Sequence, residues 1–275
     1  LSDASKAHFG LVEKGLSGLE NIFPKLIKIA EKNQNEIQTR YPKVLRRVGG
    51  YNLDALLPDT LASRPGSSGN EKDINLSHLI IGSEGTLAYS TSIELKLSSL
   101  PSPKIMALCH FSTFYKAMDS AQHIVKLDPI AVELIDNTMI SLGRSIPLFS
   151  KTIDDFIIND PAALLVVEFA EDIWADNLTK IKELKALLKD TADNSQTSIV
   201  VIEDQASQNR ISEMRKSGLN IMMSMKTEAK PVSFVEDCAV PLPNLAEYTQ
   251  GLTDIFHKHQ TSGTWYAHAS VGCLH

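Results

Sequence analysis

The sequence predicts an α+β fold, with an antiparallel or mixed sheet covered by helices and a ferredoxin-like arrangement in its second part. Three observations carry this. Beyond residue 101, short apolar or β-branched runs alternate with amphipathic stretches of helical period. The 275 residues are 43% hydrophobic and 22% charged, which is enough apolar material for a sizeable core. No internal repeat or low-complexity array is present.

The elements follow in chain order. In LVEKGLSGLENIFPKLIKIAEKNQNEI, apolar residues recur at three- and four-residue steps (Leu16, Leu19, Ile22, Phe23, Leu26, Ile27, Ile29), and Pro24 is expected to split the pattern into two helices. Gly49-Gly50 reads as a turn. Residues 62–73, ASRPGSSGNEKD, read as a flexible surface loop. Leu79, Ile80 and Ile81 read as a short buried strand. Thr91, Ile93, Leu95 and Leu97 alternate with polar residues as a strand with one wet face would. Pro101 and Pro103 mark a boundary, dividing the chain into regions 1–100 and 101–275.

In the second region IMALCHFS, ALLVVEFA, TSIVVIED, VSFVEDCAVP and TWYAHAS read as strands. TFYKAMDSAQHIVKL, DNLTKIKELKALLKDTA, SQNRISEMRKSGLNIMMSM and LAEYTQGLTDIFHKHQ read as helices, and AVELIDNTMISLGRS runs from strand into helix. Asp176 or Asn177 is expected to cap the second of these helices.

The formal net charge of −6 and the absence of a basic stripe argue against a nucleic-acid partner. The sequence pI is near 5.8. No apolar run approaches the roughly 18 residues of a membrane span, and LSDASKAHFG lacks the layout of a secretory signal. Cys109, Cys238 and Cys273 are odd in number and far apart, which suits a reducing, cytoplasmic setting; without a CxxC pair, a structural zinc or iron–sulfur site within this chain is not expected. The missing initiator Met and abrupt end suggest a piece of a longer protein.

Several motifs can carry chemistry. In IGSEGTLAYS two glycines bracket Ser83 and Glu84, which lets backbone N–H groups approach an anion; on residue types alone the stretch reads first as an ordinary turn. AHASVGCLH places His268 and His275 seven positions apart. On one straight strand they would face opposite ways, whereas a turn at Val271-Gly272 would bring both imidazoles to one ion; two unrelated histidines are the plainer alternative. Arg215 offers a planar guanidinium suited to a carboxylate, or is part of a solvated helix face with Glu213 and Lys216. Lys226 and Lys230 are weaker cationic candidates. Glu236 and Asp237, adjacent on an expected strand, should point to opposite faces. Cys273 reads as a packed thiol.

GSEGTL preceded by GYNL, then SLPSPKIMALCHFSTFYKAM, VEDCAVPLPNLAEY and AHASVGCLH, in that order, resemble the FAD-linked oxidase family of D-2-hydroxyacid dehydrogenases. The resemblance covers most of residues 41–275. It implies the C-terminal part of a PCMH-type FAD-binding domain over 1–100 and a ferredoxin-like substrate (cap) domain, truncated at its end, over 101–275. It implies FAD contacts at Gly82, Ser83, Glu84, Gly85, Thr86 and Tyr51. It also implies a divalent metal (Zn, Mn or Fe) on His268 and His275, and substrate binding by Arg215 and Lys226, with His268 and Arg215 as the catalytic pair. The implied reaction is hydride transfer from a small 2-hydroxy acid to the flavin, followed by delivery to an electron acceptor. The resemblance further implies a cytoplasmic protein or one peripheral to the inner membrane, and leaves open a homodimer and a following iron–sulfur domain.

The chain departs from the family pattern at Ala88, Val235, Ala267, Ser270, Val271 and Cys273, and at Val48-Gly49-Gly50 where relatives carry Asn-Thr-Gly. No Gly-rich loop for the FAD pyrophosphate is present, so this stretch alone is expected to bind FAD weakly or not at all and to be inactive. The departures keep a second class open, a non-enzymatic α+β assembly or regulatory module.

Overall fold

The computed structural model describes residues 19–47, 49–57, 77–95, 97, 102–191, 198–223, 232 and 234–275. The chain forms two compact units, Leu1–Lys43 with Arg47–Ser98, and Val44–Arg46 with Ser99–His275. The expected loop at 62–73 lies outside the described residues.

In the first unit, helix α1 (Leu19–Lys32) runs through Pro24, and the break falls instead at Asn33, before α2 (Gln34–Arg40). Pro24 forfeits one helical N–H. At Asn33 the side-chain Nδ2 donates to the Ile29 carbonyl at 2.7 Å, so the residue satisfies a helix-end acceptor with its own amide. Ala30, Ile37, Leu56 and Leu57 make a small core, the last two at or beside a 3-10 turn at Leu53–Leu56. The apolar run at Leu79 is helical, not a strand: α3 spans Ser77–Ile80. The Asn52 Nδ2 donates to the carbonyls of His78 (3.0 Å) and Ile81 (2.9 Å), acceptors that a neighbouring strand would otherwise have used. Thr91–Leu97 forms no strand among the described residues, and Ile93, Leu95 and Leu97 are exposed. Alternation makes a strand only where a partner supplies the ladder.

The second unit is built on a seven-stranded sheet. Its strands are β1 (Ile105–Phe111), β2 (Ala131–Asp136), β3 (Ala163–Phe169), β4 (Ser198–Ile202), β5 (Cys238–Ala239), β6 (Tyr266–His268) and β7 (Cys273–Leu274). Their order is β4-β1-β3-β2-β6-β7-β5, with every adjacent pair antiparallel. The first four strands have the ferredoxin-like order, β4-β1-β3-β2. The short β6, β7 and β5 extend the sheet from the β2 edge.

Every residue of β1 is buried, because helices cover both faces. Ile105, Ala107, Cys109 and Phe111 pack with α4 (Phe114–Ile124), α7 (Trp174–Thr191) and α10 (Leu245–Lys258). Met106 and Leu108 turn the other way. They pack with α5 (Asn137–Arg144), α6 (Pro147–Phe156), α8 (Gln205–Lys216) and α9 (Gly218–Met223). The sequence reading assigns no element to 147–156. There Pro147 opens the helix at a position where its missing N–H costs nothing, and Phe149 and Ile153, one turn apart, are buried.

The α7 helix begins at Trp174, so Asn177 lies inside its first turn. The fully buried Asn177 uses its Oδ1 to accept from the Glu171 N–H at 3.0 Å, tying the incoming loop to the helix. Asp136 caps α5, accepting from the Met139 N–H at 2.8 Å with Oδ1. Its Oδ2 accepts from the Thr264 hydroxyl (2.6 Å) and the Trp265 N–H (3.0 Å), which fixes the entry to β6. Burial pushes the Asp136 carboxyl up, against the pull of these donors.

Candidate functional site

The first unit carries the glycine-bracketed turn. Gly82, Glu84 and Gly85 all have positive φ (79°, 51° and 76°), a conformation that suits glycine and strains Glu84. Ser83 is buried, its N–H bonded to the Ile80 carbonyl at 3.1 Å. Thr86 closes the turn onto the Ser83 carbonyl through its N–H (3.0 Å) and its hydroxyl (2.6 Å). The Tyr51 hydroxyl lies 2.9 Å from Thr86 Oγ1, so five residues of the turn and Tyr51 form one connected piece. A Cβ at Gly85 would meet open space, and the Glu84 and Gly85 N–H groups find no acceptor among the described residues. Such a turn presents backbone donors to an oxygen-rich ligand and so fits the flavin that the resemblance implies.

The second unit gathers the other candidates. The β6–β7 hairpin turns through Ala269–Val271 and Gly272, whose φ is 67°. A Cβ at Gly272 would overlap the Val240 carbonyl oxygen, so this turn admits no larger residue without displacement. The hairpin brings the His268 and His275 rings edge to face, 5.3 Å between centroids. Tyr266 stacks on His275 at 4.7 Å, and its hydroxyl donates to Glu236 Oε1 at 3.1 Å. Burial, then the Glu236 carboxylate, push the Tyr266 phenol up.

Glu236 and Asp237 do not alternate across a strand, because β5 begins only at Cys238 and both Val235 and Asp237 have positive φ. Both carboxylates therefore reach the same imidazole: His275 Nδ1 lies 3.5 Å from Glu236 Oε1 and 3.2 Å from Asp237 Oδ1. Neither approach has hydrogen-bond alignment, which leaves His275 Nδ1 a buried polar atom without a hydrogen-bond partner. Donor atoms of Asp237, Cys273 and His275 lie within 4.8 Å of one another, a group that does not include His268. The carboxylates face the orphaned Nδ1 and the Cys273 thiol lies 3.9 Å from Nε2; imidazole, carboxylate and thiol are the donor types that a zinc, manganese or iron ion takes. Cys273 is buried and its thiol is pushed up, chiefly by that burial, so it is no free nucleophile.

Arg215 sits in the last turn of α8 and leaves the solvated face that Glu213 and Lys216 keep. Its Nη2 donates to Glu133 Oε2 and lies 3.1 Å from His268 Nδ1. His268 Nδ1 is in turn 3.1 and 3.0 Å from the two Glu133 oxygens. Sequence reasoning missed Glu133. Its signal was a carboxylate at a half-buried position of a strand, between the buried Val132 and Leu134. Glu133, Arg215, Lys104, Glu168 and Lys216 line a cavity of about 290 Å³. Lys104 Nζ is held by both Glu168 oxygens at 2.8 Å. Lys226 and Lys230 lie outside the described residues.

A helix-covered antiparallel sheet thus carries a histidine–carboxylate–arginine corner at the wall of a cavity. The family of FAD linked oxidases, C-terminal domain, matches residues 100–275, and the chain belongs to that family. It is 26% identical over 268 residues to a D-2-hydroxyglutarate dehydrogenase of Escherichia coli (strain K12), covering 95% of this chain and 25% of that protein. It is likewise 26% identical over 206 residues to glycolate oxidase subunit GlcD of Bacillus subtilis (strain 168), covering 73% of this chain and 40% of the relative. The chain thus spans a quarter to two fifths of the length of these relatives. A solved alkyldihydroxyacetonephosphate synthase is also similar, at 17% identity and a TM-score of 0.48, over 74% of this chain and 41% of that one. No helix among the described residues is long and apolar enough to cross a membrane.

Proposed function

We propose that this chain is part of an FAD-dependent dehydrogenase of a small D-2-hydroxy acid, contributing flavin contacts from its first unit and the substrate site from its second. The observation that carries the reading is the corner where Arg215, fixed by Glu133, both lines the cavity and touches His268. The FAD would be held by Gly82, Ser83, Glu84, Gly85, Thr86 and Tyr51, and supplies the hydride acceptor. The metal ion would be held by His268 and His275, with Asp237 and Cys273 as further donors beside His275, and would supply Lewis-acid acidification of the substrate hydroxyl.

This chain's own residues do the rest. Arg215 commits one nitrogen to Glu133 and keeps its remaining N–H groups for a planar carboxylate, a bidentate partner that lysine cannot match. Tyr266 holds the His275 ring flat by stacking, and Glu133 holds the His268 ring from the opposite strand. Lys104 and Lys216, both already paired, balance the charge of the cavity without competing for the anion.

The test is the full-length protein that contains this chain, purified and offered D-lactate, glycolate and D-2-hydroxyglutarate with an artificial electron-accepting dye. The expected result is a bound-flavin absorbance band that bleaches with one of these acids. A flavin-free product, inert with all three, would overturn the proposal.

A further inference from the structure

We propose that Glu133 is the positioning residue of this site, one carboxylate that sets the protonation pattern of His268 and holds Arg215 in place; the inference rests on the reading that His268 holds a metal ion and Arg215 a substrate carboxylate. The register places Glu133 of β2 directly opposite His268 of β6, on the sheet face covered by α8. Both Glu133 oxygens lie within hydrogen-bond distance of one imidazole nitrogen, at 3.1 and 3.0 Å from Nδ1. The same Nδ1 is 3.1 Å from an Arg215 nitrogen.

Counting protons decides the pattern. If Nδ1 bore a lone pair, it would face two carboxylate oxygens that are themselves acceptors. If Nδ1 bears the proton, it donates to Glu133, and the Arg215 N–H donates to Glu133 Oε2 instead of to the ring. In the first arrangement Arg215 could donate to Nδ1, but the lone pair would still face both Glu133 oxygens; the second removes that acceptor-to-acceptor contact. It leaves the Nε2 lone pair of His268 available to a cation, and a carboxylate behind a ligating histidine raises its basicity and fixes its ring orientation. The Glu133 side chain is 16% exposed, so water does not readily replace either contact. The carboxylate also sets the guanidinium plane at the cavity wall. One residue therefore governs both the cation-binding atom and the anion-binding plane.

The experiment uses the full-length protein, stripped of metal and titrated with Zn²⁺ against a competing chelator, as wild type, Glu133→Gln and His268→Ala. The expected result is that His268→Ala abolishes Zn²⁺ binding at this site. Glu133→Gln is expected to weaken it by about 10–100-fold, with an unchanged melting temperature and a KM for the hydroxy acid that rises more than kcat falls. A role confined to packing would lower the melting temperature and leave Zn²⁺ affinity and the KM-to-kcat split alone. Loss of Zn²⁺ in His268→Ala beside wild-type affinity in Glu133→Gln would overturn the role of Glu133 and leave the site reading intact. Unchanged Zn²⁺ affinity in His268→Ala would overturn the site reading, and the role of Glu133 with it. Should Glu133→Gln fail to fold, Glu133→Asp keeps the charge, withdraws it by one methylene, and supports the same comparison.

Discussion

The two units hold themselves together in different ways. The second has a sheet whose central strands are buried on both faces, with apolar side chains entering two helical layers. The first has a small core around Ala30, Ile37, Leu56 and Leu57, and its functional turn is held by polar side chains that bond to backbone. One unit is set by non-directional burial and the other by directional hydrogen bonds. The difference predicts where each will break.

The largest effect belongs to the sheet. Phe169 is fully buried, so Phe169→Ala should cost about 3–5 kcal/mol, measured by urea unfolding of the second unit's transition. A cost under about 1 kcal/mol would mean that the layers collapse around the gap and that packing there is loose.

A smaller and more local effect belongs to the first unit. Asn52 is buried, donates to two carbonyls and accepts from Arg47 Nη2 at 3.0 Å. Asn52→Ala should cost about 1–3 kcal/mol. Hydrogen exchange should quicken at 77–86 while the amides of β1 and β3 keep their protection. Uniform loss of protection in both units would deny that they are built independently.

The smallest effect tests a buried polar side chain inside the sheet. His110, on β1, places Nδ1 3.0 Å from the Ser198 carbonyl and accepts from the Ile158 N–H at Nε2 (3.1 Å). Only neutral imidazole can fill both roles. Burial, against the pull of backbone hydrogen bonds, lowers its pKa below the ordinary 6.5. A base with a depressed native pKa adds stability that is complete above its unfolded value and is lost as pH falls below it. The melting temperature should therefore drop on going from pH 7.5 to 5.5, and His110→Gln should flatten that slope. An unchanged slope would place the pH dependence elsewhere.

The same contrast explains what the sequence made legible. Strands β1, β3 and β4 announce themselves as short apolar or β-branched runs, and helices α4, α7, α8 and α10 by their period, because burial writes both into composition. The bend at Val271-Gly272 was legible too, since Gly272 stands where only a glycine avoids the Val240 carbonyl. What stayed hidden depends on partners distant in sequence. The contact of Glu133 with His268 follows from a register across 135 positions. The run at Leu79 looks like a strand but is helical, and the carbonyls of His78 and Ile81 accept from Asn52, 26 and 29 positions away. The alternation at Thr91–Leu97 looks like a strand in composition, but no described residue completes its ladder. Both carboxylates at 236–237 reach His275 because positive φ at Val235 and Asp237 undoes the alternation that adjacent residues normally obey.

The central claim is that Arg215 is an anion-binding group of the site and not a surface charge. Its most direct test is the equilibrium affinity of the full-length protein for its hydroxy acid, followed through the flavin absorbance, in wild type and Arg215→Ala. A partly shielded guanidinium gripping a carboxylate is worth about 1.5–3 kcal/mol, so the variant should bind roughly 10–100-fold more weakly. Affinity within about twofold of wild type, the change expected of an exposed charge, would contradict the account.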